Sequence, residues 1–179
     1  MALNGSVLSR PLGRGRGGLI DIRSPVDIII GTSATPSAPG KLVLDSAQLS
    51  KFGAESLLVG GVRSFGTDGT YITVKTNNIT VSNVNSFTGQ AVALTGPEII
   101  LVANRNLIVD TGSVIRQTGN LSGAADTLLF GNADIVGSGD GTLLRVSSDP
   151  SAQILRSGVS STGTTANMVI GSGASIIGN

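Results

Sequence analysis

Short aliphatic segments recur along this chain at nearly even spacing, each entered from a small or polar corner. Val114-Ile115 follows Gly112-Ser113, Ile135-Val136 follows Asn132-Ala133-Asp134, Ile154-Leu155 follows Pro150-Ser151-Ala152-Gln153, and Ile176-Ile177 follows Gly173-Ala174-Ser175. Positions 115, 135, 154 and 176 are separated by 20, 19 and 22 residues. The best internal match is the widest: Ile108 to Ile115 (IVDTGSVI) against Val169 to Ile176 (VIGSGASI). Segments of three to six residues rich in Val, Ile and Leu have strand composition. A recurrence in the twenties predicts a repeat architecture in which each unit packs on its neighbours. The expected fold is therefore all-β, a parallel β-helix of about 20 residues per coil, with residues 115, 135, 154 and 176 side by side up one wall.

Composition sharpens this expectation. Hydrophobic residues make up 40% of the 179 but aromatics only 3%, so the core must be aliphatic. Twenty-six glycines, with many Ser, Thr and Asn, supply turn chemistry in bulk. Charged residues are 13% and the net charge is +1, which gives no basic surface for nucleic acid. The absence of cysteine excludes disulfides and Cys-ligated metals, and the absence of histidine removes Ser-His-Asp, Cys-His and His-metal chemistry. No cofactor is expected. No apolar run reaches 18 residues, so no transmembrane helix is expected. Met1 to Leu12 lacks the apolar core of a signal peptide. A segment of a longer, exported protein is the simplest expectation.

Taken in order, residues 1–18 are Gly- and Arg-rich (Arg10, Arg14, Arg16) and predict a flexible lead-in, with residues 19–179 as the β-helical segment of a longer rod. Gly13-x-Gly15 lacks the strand-then-helix context of a dinucleotide loop. Gly40-Lys41 lacks the spacing and the following Ser or Thr of a P-loop. Strands are expected at 19–22, 26–30, 42–44, 56–59, 71–75, 79–82, 98–103, 127–130, 143–146 and 168–170. One helix of about two turns is expected at 46–52, with Ser46 as its N-cap, Leu49 and Phe52 on one face and Gly53 closing it. Ile99 to Val102 is apolar on both faces, which predicts an intramolecular cover, from that helix or from loop 84–94.

Several motifs invite a catalytic reading. Leu107 to Ser113 carries the apolar-apolar-Asp-Thr-Gly-Ser pattern of aspartic proteases, and Leu129 to Asp134 mimics its partner element. The 18 residues between Gly112 and Gly131 leave no room for a flap hairpin. The same turn recurs at 170–174 with Gly171 in place of Asp110, so a structural corner is expected. Gly137 to Thr142 resembles a single calcium-binding nonapeptide, a chemistry that needs tandem copies. Asp21, Asp27, Asp45, Asp110, Asp126, Asp134, Asp140 and Asp149 are scattered, mostly one to a corner, where a glycosidase or pectinase needs a converging pair. The glycosylation sequons at Asn4, Asn78 and Asn120 are what chance yields in a chain of this composition. No catalytic, cofactor-binding or metal residue is assigned.

Three phrases carry a family resemblance: Ala54 to Arg63 (AESLLVGGVR), Leu94 to Ala103 (LTGPEIILVA) and Asp140 to Pro150 (DGTLLRVSSDP). Over roughly residues 40–179 the chain resembles the central region of filamentous-haemagglutinin-like large exoproteins. The resemblance implies a right-handed parallel β-helical shaft of a secreted, non-enzymatic surface adhesin. It also implies export by two-partner secretion through an outer-membrane transporter, and contact with glycans or proteins on a host or neighbouring cell. The family's secretion-domain motifs are absent from this sequence, and no receptor-binding residue transfers. Loops 31–40 and 62–70 are the expected places of contact. The alternatives are a β-helical carbohydrate-active enzyme and, behind it, an aspartic-type protease.

Overall fold

A computed structural model describes residues 17–123, 127–131, 141–156 and 166–178. The chain is mostly strand, but its strands fall into four small sheets of mixed direction. The first holds β1 (Leu19–Ile22), β4 (Ser56–Val59), β9 (Glu98–Ala103) and β13 (Thr142–Ser147), in that order. The second runs β15 (Asn167–Ile170), β10 (Asn106–Val109), β7 (Asn78–Val81), β2 (Asp27–Gly31), β3 (Lys41–Asp45). The third is β16 (Ser175–Ile177), β11 (Val114–Gln117), β8 (Leu94–Gly96). The fourth is β14 (Ile154–Arg156), β12 (Leu128–Gly131), β6 (Gly69–Val74), β5 (Gly61–Gly66).

The expected single β-helix of uniform coils is overturned by this topology. β13 runs antiparallel to β9 and β5 antiparallel to β6, and the fourth sheet is a separate layer. Nor is there a constant repeat. Asp27 lies beside Lys41, Leu94 beside Ile115, Leu19 beside Ser56 and Asn106 beside Asn167, steps that range from 14 to 61 positions. Of the four segments expected on one wall, Ile115 and Ile176 are paired neighbours. Ile154 pairs instead with Leu128 in the fourth sheet, and 135 lies outside the described residues. The spacing misleads because whole excursions sit between paired strands: a hairpin at 61–74 and a loop at 84–91. The widest internal match, 108–115 against 169–176, is the one that the pairing realises.

The main core lies between the first three sheets. Alternate residues of each strand point to it: Leu57, Val59, Ile99, Leu101 and Ala103 from the first, Ile28, Ile30, Ile79, Val81, Leu107 and Val109 from the second, Leu94 and Ile115 from the third. All are buried. Helix α1 (Ser46–Lys51) packs on β3 and β8 at one edge of the second and third sheets, and adds Leu49 and Phe52 to the core. Its N-cap is Asp45, whose carboxylate accepts from the Gln48 N–H at 2.8 Å. Ser46, expected in that role, instead donates its hydroxyl to the Val92 carbonyl at 2.8 Å.

The double-sided apolar strand at 99–102 has the intramolecular cover that its composition demands. Its outer residues Ile100 and Val102, with Leu58 of β4, pack against Ile72, Val74, Leu128 and Phe130 of the fourth sheet. The cover is thus a second β-layer and not α1 or loop 84–94. Gly60 is the point where the chain leaves the first sheet to build that layer. Its φ of 98° is in the region that glycine alone enters cheaply, and a Cβ there would stand 1.9 Å from the Val102 carbonyl oxygen. The Gly60 carbonyl accepts from the N–H groups of Lys75 and Thr76, which locks the far end of the hairpin to the same point.

Of the expected lead-in, residues 1–16 lie outside the described residues. Gly17 and Gly18 are tied down: the Gly17 N–H donates to the Glu55 carboxylate, and the Gly18 carbonyl accepts from the Glu55 N–H at 3.0 Å.

Candidate functional site

The Asp-Thr-Gly-Ser segment is a corner between β10 and β11. The Asp110 N–H donates to the Val81 carbonyl and the Ser113 N–H to the Asp110 carbonyl, so the turn is closed by backbone. The segment 171–174 stacks on it. The Gly112 N–H donates to the Ser172 carbonyl, and a Cβ on Gly171 would lie 2.5 Å from the Thr111 nitrogen. Packing of corner on corner explains why glycine stands where the first copy has aspartate.

The other described carboxylates serve separate local tasks. Asp27 accepts from Asn78 Nδ2 at 2.9 Å, and Asn78 Oδ1 accepts from Asn106 Nδ2 at 2.7 Å, a polar ladder across β2, β7 and β10. The Asn78 sequon side chain is therefore spent inside a sheet, whereas Asn120 is exposed. Asp45 caps α1, and Asp149 accepts from both N–H and hydroxyl of Ser151. Asp126, Asp134, Asp140 and Asn4 lie outside the described residues, as does most of the nonapeptide-like stretch 137–142. Among the described residues no three carboxylates gather as a metal site would require.

Among the described residues, the one charged cluster of any depth was not legible from the strand pattern. It lies on the outer face of the first sheet, under the lip of the fourth. Arg63 of β5 donates Nη1 to Asp21 at 2.5 Å and Nη2 to Ser56 Oγ at 2.6 Å. Ser56 Oγ in turn donates to Glu98 Oε2 at 2.5 Å, and Arg145 Nε donates to Glu98 Oε1 at 2.7 Å. Arg145 also reaches the Asp149 carbonyl and Ser147 Oγ. The side chains of Arg145 and Glu98 are only 8% and 10% exposed. Burial pushes the Arg63 guanidinium below its ordinary pKa, while Asp21 and Glu98 pull it back up. Among the described residues, every buried side-chain nitrogen and oxygen has a partner. The Ser-Glu pair has no route to a substrate. Ser56 is 2% exposed and its oxygen is engaged on both sides. The cluster stitches the two layers together. The sequence trace of it is one charge within each of two apolar-rich strands, Glu98 in β9 and Arg145 in β13.

Among the described residues, the surface offers two ordered projections that differ from the rest. Residues 62–70, expected as a loop, are mostly strand: β5 and β6 form a hairpin that turns at Thr67-Asp68 and leaves Phe65 69% exposed. The second is 84–91. An antiparallel bridge joins Val84 to Ala91, Asn85 Oδ1 accepts from the N–H groups of Phe87 and Thr88, and the Asn85 carbonyl accepts from Gly89. Phe87 stands at the tip, 87% exposed. The loop's base is held by Asn83, which is fully buried: its side chain exchanges hydrogen bonds with both the N–H and carbonyl of Val114, in place of a strand residue. Loop 32–40 is quieter. Thr32 and Thr35 bond to each other across it, and no large apolar residue is presented.

No family model, curated protein or solved structure matches the chain. No helix among the described residues is long and apolar enough to cross a membrane.

Proposed function

We propose that this chain is a non-catalytic, adhesive scaffold segment of a secreted bacterial surface protein of the filamentous-haemagglutinin-like kind. On this reading an outer-membrane two-partner-secretion transporter delivers it, and it meets glycans or proteins of a host or neighbouring cell. The phrases at 54–63, 94–103 and 140–150 support the family.

One observation supports contact above the others. Phe87 is held out from an uncharged loop whose every turn is hydrogen-bonded. A large apolar side chain in water costs free energy, and a rigid loop loses little conformational entropy when that side chain is covered. Phe65 on the β5–β6 hairpin repeats the arrangement on the outer layer.

Beads coated with the purified chain are expected to bind epithelial cells or bacterial cells saturably. The double variant Phe65→Ala and Phe87→Ala should reduce that binding several-fold while leaving the circular-dichroism spectrum unchanged. Binding to neither cell type, or binding indifferent to both substitutions, overturns the contact reading. Hydrolysis of a polysaccharide or a peptide by the chain overturns the non-catalytic one.

A further inference from the structure

The corner that follows β13 brings unlike groups to one peptide bond, that between Asp149 and Pro150. Arg145 Nη1 donates to the Asp149 carbonyl at 2.6 Å. The guanidinium is itself fixed: Nε donates to Glu98 at 2.7 Å, Nη2 donates to Ser147 Oγ at 3.0 Å, and the side chain is buried. A charged donor aimed at a carbonyl oxygen in such dry surroundings draws electron density from the carbonyl carbon. The Asp149 carboxylate is folded forward over the same bond, because its Oδ1 accepts from the Ser151 N–H at 2.7 Å and from the Ser151 hydroxyl at 2.5 Å. The backbone leading into the bond is pinned as well. The Ser148 N–H donates to the Pro97 carbonyl at 3.1 Å and the Asp149 N–H to Ser147 Oγ at 3.2 Å. Pro150 is exposed and its nitrogen carries no hydrogen, so its departure breaks no bond donated by that nitrogen.

We propose that this corner cuts its own chain between Asp149 and Pro150. One oxygen of the Asp149 carboxylate attacks the carbonyl carbon of the same residue. The new C–O bond closes a ring, and the displaced electron pair rests on the former carbonyl oxygen, where Arg145 Nη1 already points. Collapse of this intermediate breaks the C–N bond. Its electron pair goes to the Pro150 nitrogen, which takes a proton from solvent. Water then opens the cyclic anhydride left on Asp149, giving two carboxylates there and a free N-terminus at Pro150. The net change is hydrolysis of the peptide bond, and nothing is oxidised or reduced. Arg145 and Asp149 are the catalytic residues, and Ser151 is a positioning residue. The event occurs once in each chain and acts on no added substrate, so it is separate from the contact role proposed above. The two pieces stay together, because β14, β15 and β16 remain paired with β12, β10 and β11.

The test follows the full chain in mildly acidic buffer by denaturing electrophoresis and intact mass. The expected products are residues 1–149 and 150–179, formed at a rate independent of protein concentration. Asp-Pro bonds break slowly in acid in any chain, so the deciding comparison is with the same chain in urea at the same pH. The folded chain should cleave about a hundredfold faster. Arg145→Lys keeps a charge opposite Glu98 but withdraws Nη1, and should bring the folded rate down to the unfolded one. Ser151→Ala should slow the folded chain about tenfold and leave the unfolded one unchanged. Ser151→Thr, which keeps the hydroxyl, should restore the rate. Asp149→Asn, whose amide oxygen can still accept from Ser151, should abolish the accelerated cleavage. Cleavage no faster folded than in urea, a cut at another bond, a rate that grows with protein concentration, or a rate indifferent to Arg145→Lys and Ser151→Ala overturns the proposal.

Discussion

The inner core and the outer layer bury similar residues by different means. Between the first three sheets the contact is aliphatic but for Phe52 at the α1 edge, and is shared by strands that, apart from β13, stack in parallel. Under the fourth sheet the apolar contact is smaller and depends on one aromatic, Phe130. That layer is held by two further devices: the glycine hinge at Gly60 and the charged stitch from Asp21 to Arg145. The contrast teaches that a stack of short strands needs only alternation to cohere, whereas a sheet laid upon it needs its position fixed.

The largest effects are expected where the two regions are separated by truncation. Leu101→Ala removes a fully buried inner side chain and should cost about 4 kcal/mol in global stability by denaturant titration. Phe130→Ala should cost about 3 kcal/mol. Its loss should appear as faster amide exchange in β6 and β12, with β7 and β10 still protected. Equal loss of protection in all four strands would dissolve the distinction between the layers.

A middle-sized effect is expected from the stitch. Glu98→Gln leaves Arg145 buried opposite a neutral group and should cost about 3 kcal/mol. Asp21→Asn should cost less, about 2 kcal/mol, because Arg63, though buried, keeps its bond to Ser56 and the nearby charge of Glu98. If the order is reversed, Arg63 rather than Arg145 anchors the outer layer.

The smallest effect concerns the hairpin tip. Tyr71, the sole tyrosine of the chain, is next to Asp68, whose negative charge raises the phenol above its ordinary pKa. A pKa raised in the folded state favours folding below the unfolded value and loses that contribution as pH rises through the folded one. Ultraviolet titration should therefore show a midpoint above 10, which Asp68→Asn lowers. An unchanged midpoint would mean that the tip does not hold Tyr71 against Asp68.

Strand positions were readable because Val, Ile and Leu alternate with polar residues at 72–75 and 79–82, and because unbroken apolar runs mark buried strands such as 99–102. The demand for a cover over 99–102 was readable for the same reason. What covers it was not, because the answer depends on the backbone path at Gly60, and Gly60-Gly61 reads locally as a simple turn. β5 was missed for that reason, and the uniform repeat was wrongly inferred because sequence spacing ignores excursions. The stitch escaped because Ser56, Glu98 and Arg145 come together only through cross-strand pairing, one step of it antiparallel. The two projecting phenylalanines carry no periodic signal at all.

Asn83 has a consequence for how the molecule tolerates change. Since its amide completes the join between the second and third sheets, and the Val92 N–H returns to the Asn83 carbonyl, the residues from 84 to 91 take no part in closing the walls. That makes the segment a natural cassette. Its length and chemistry are open to exchange between variants, or to grafting of a foreign epitope, while the scaffold beneath keeps its register.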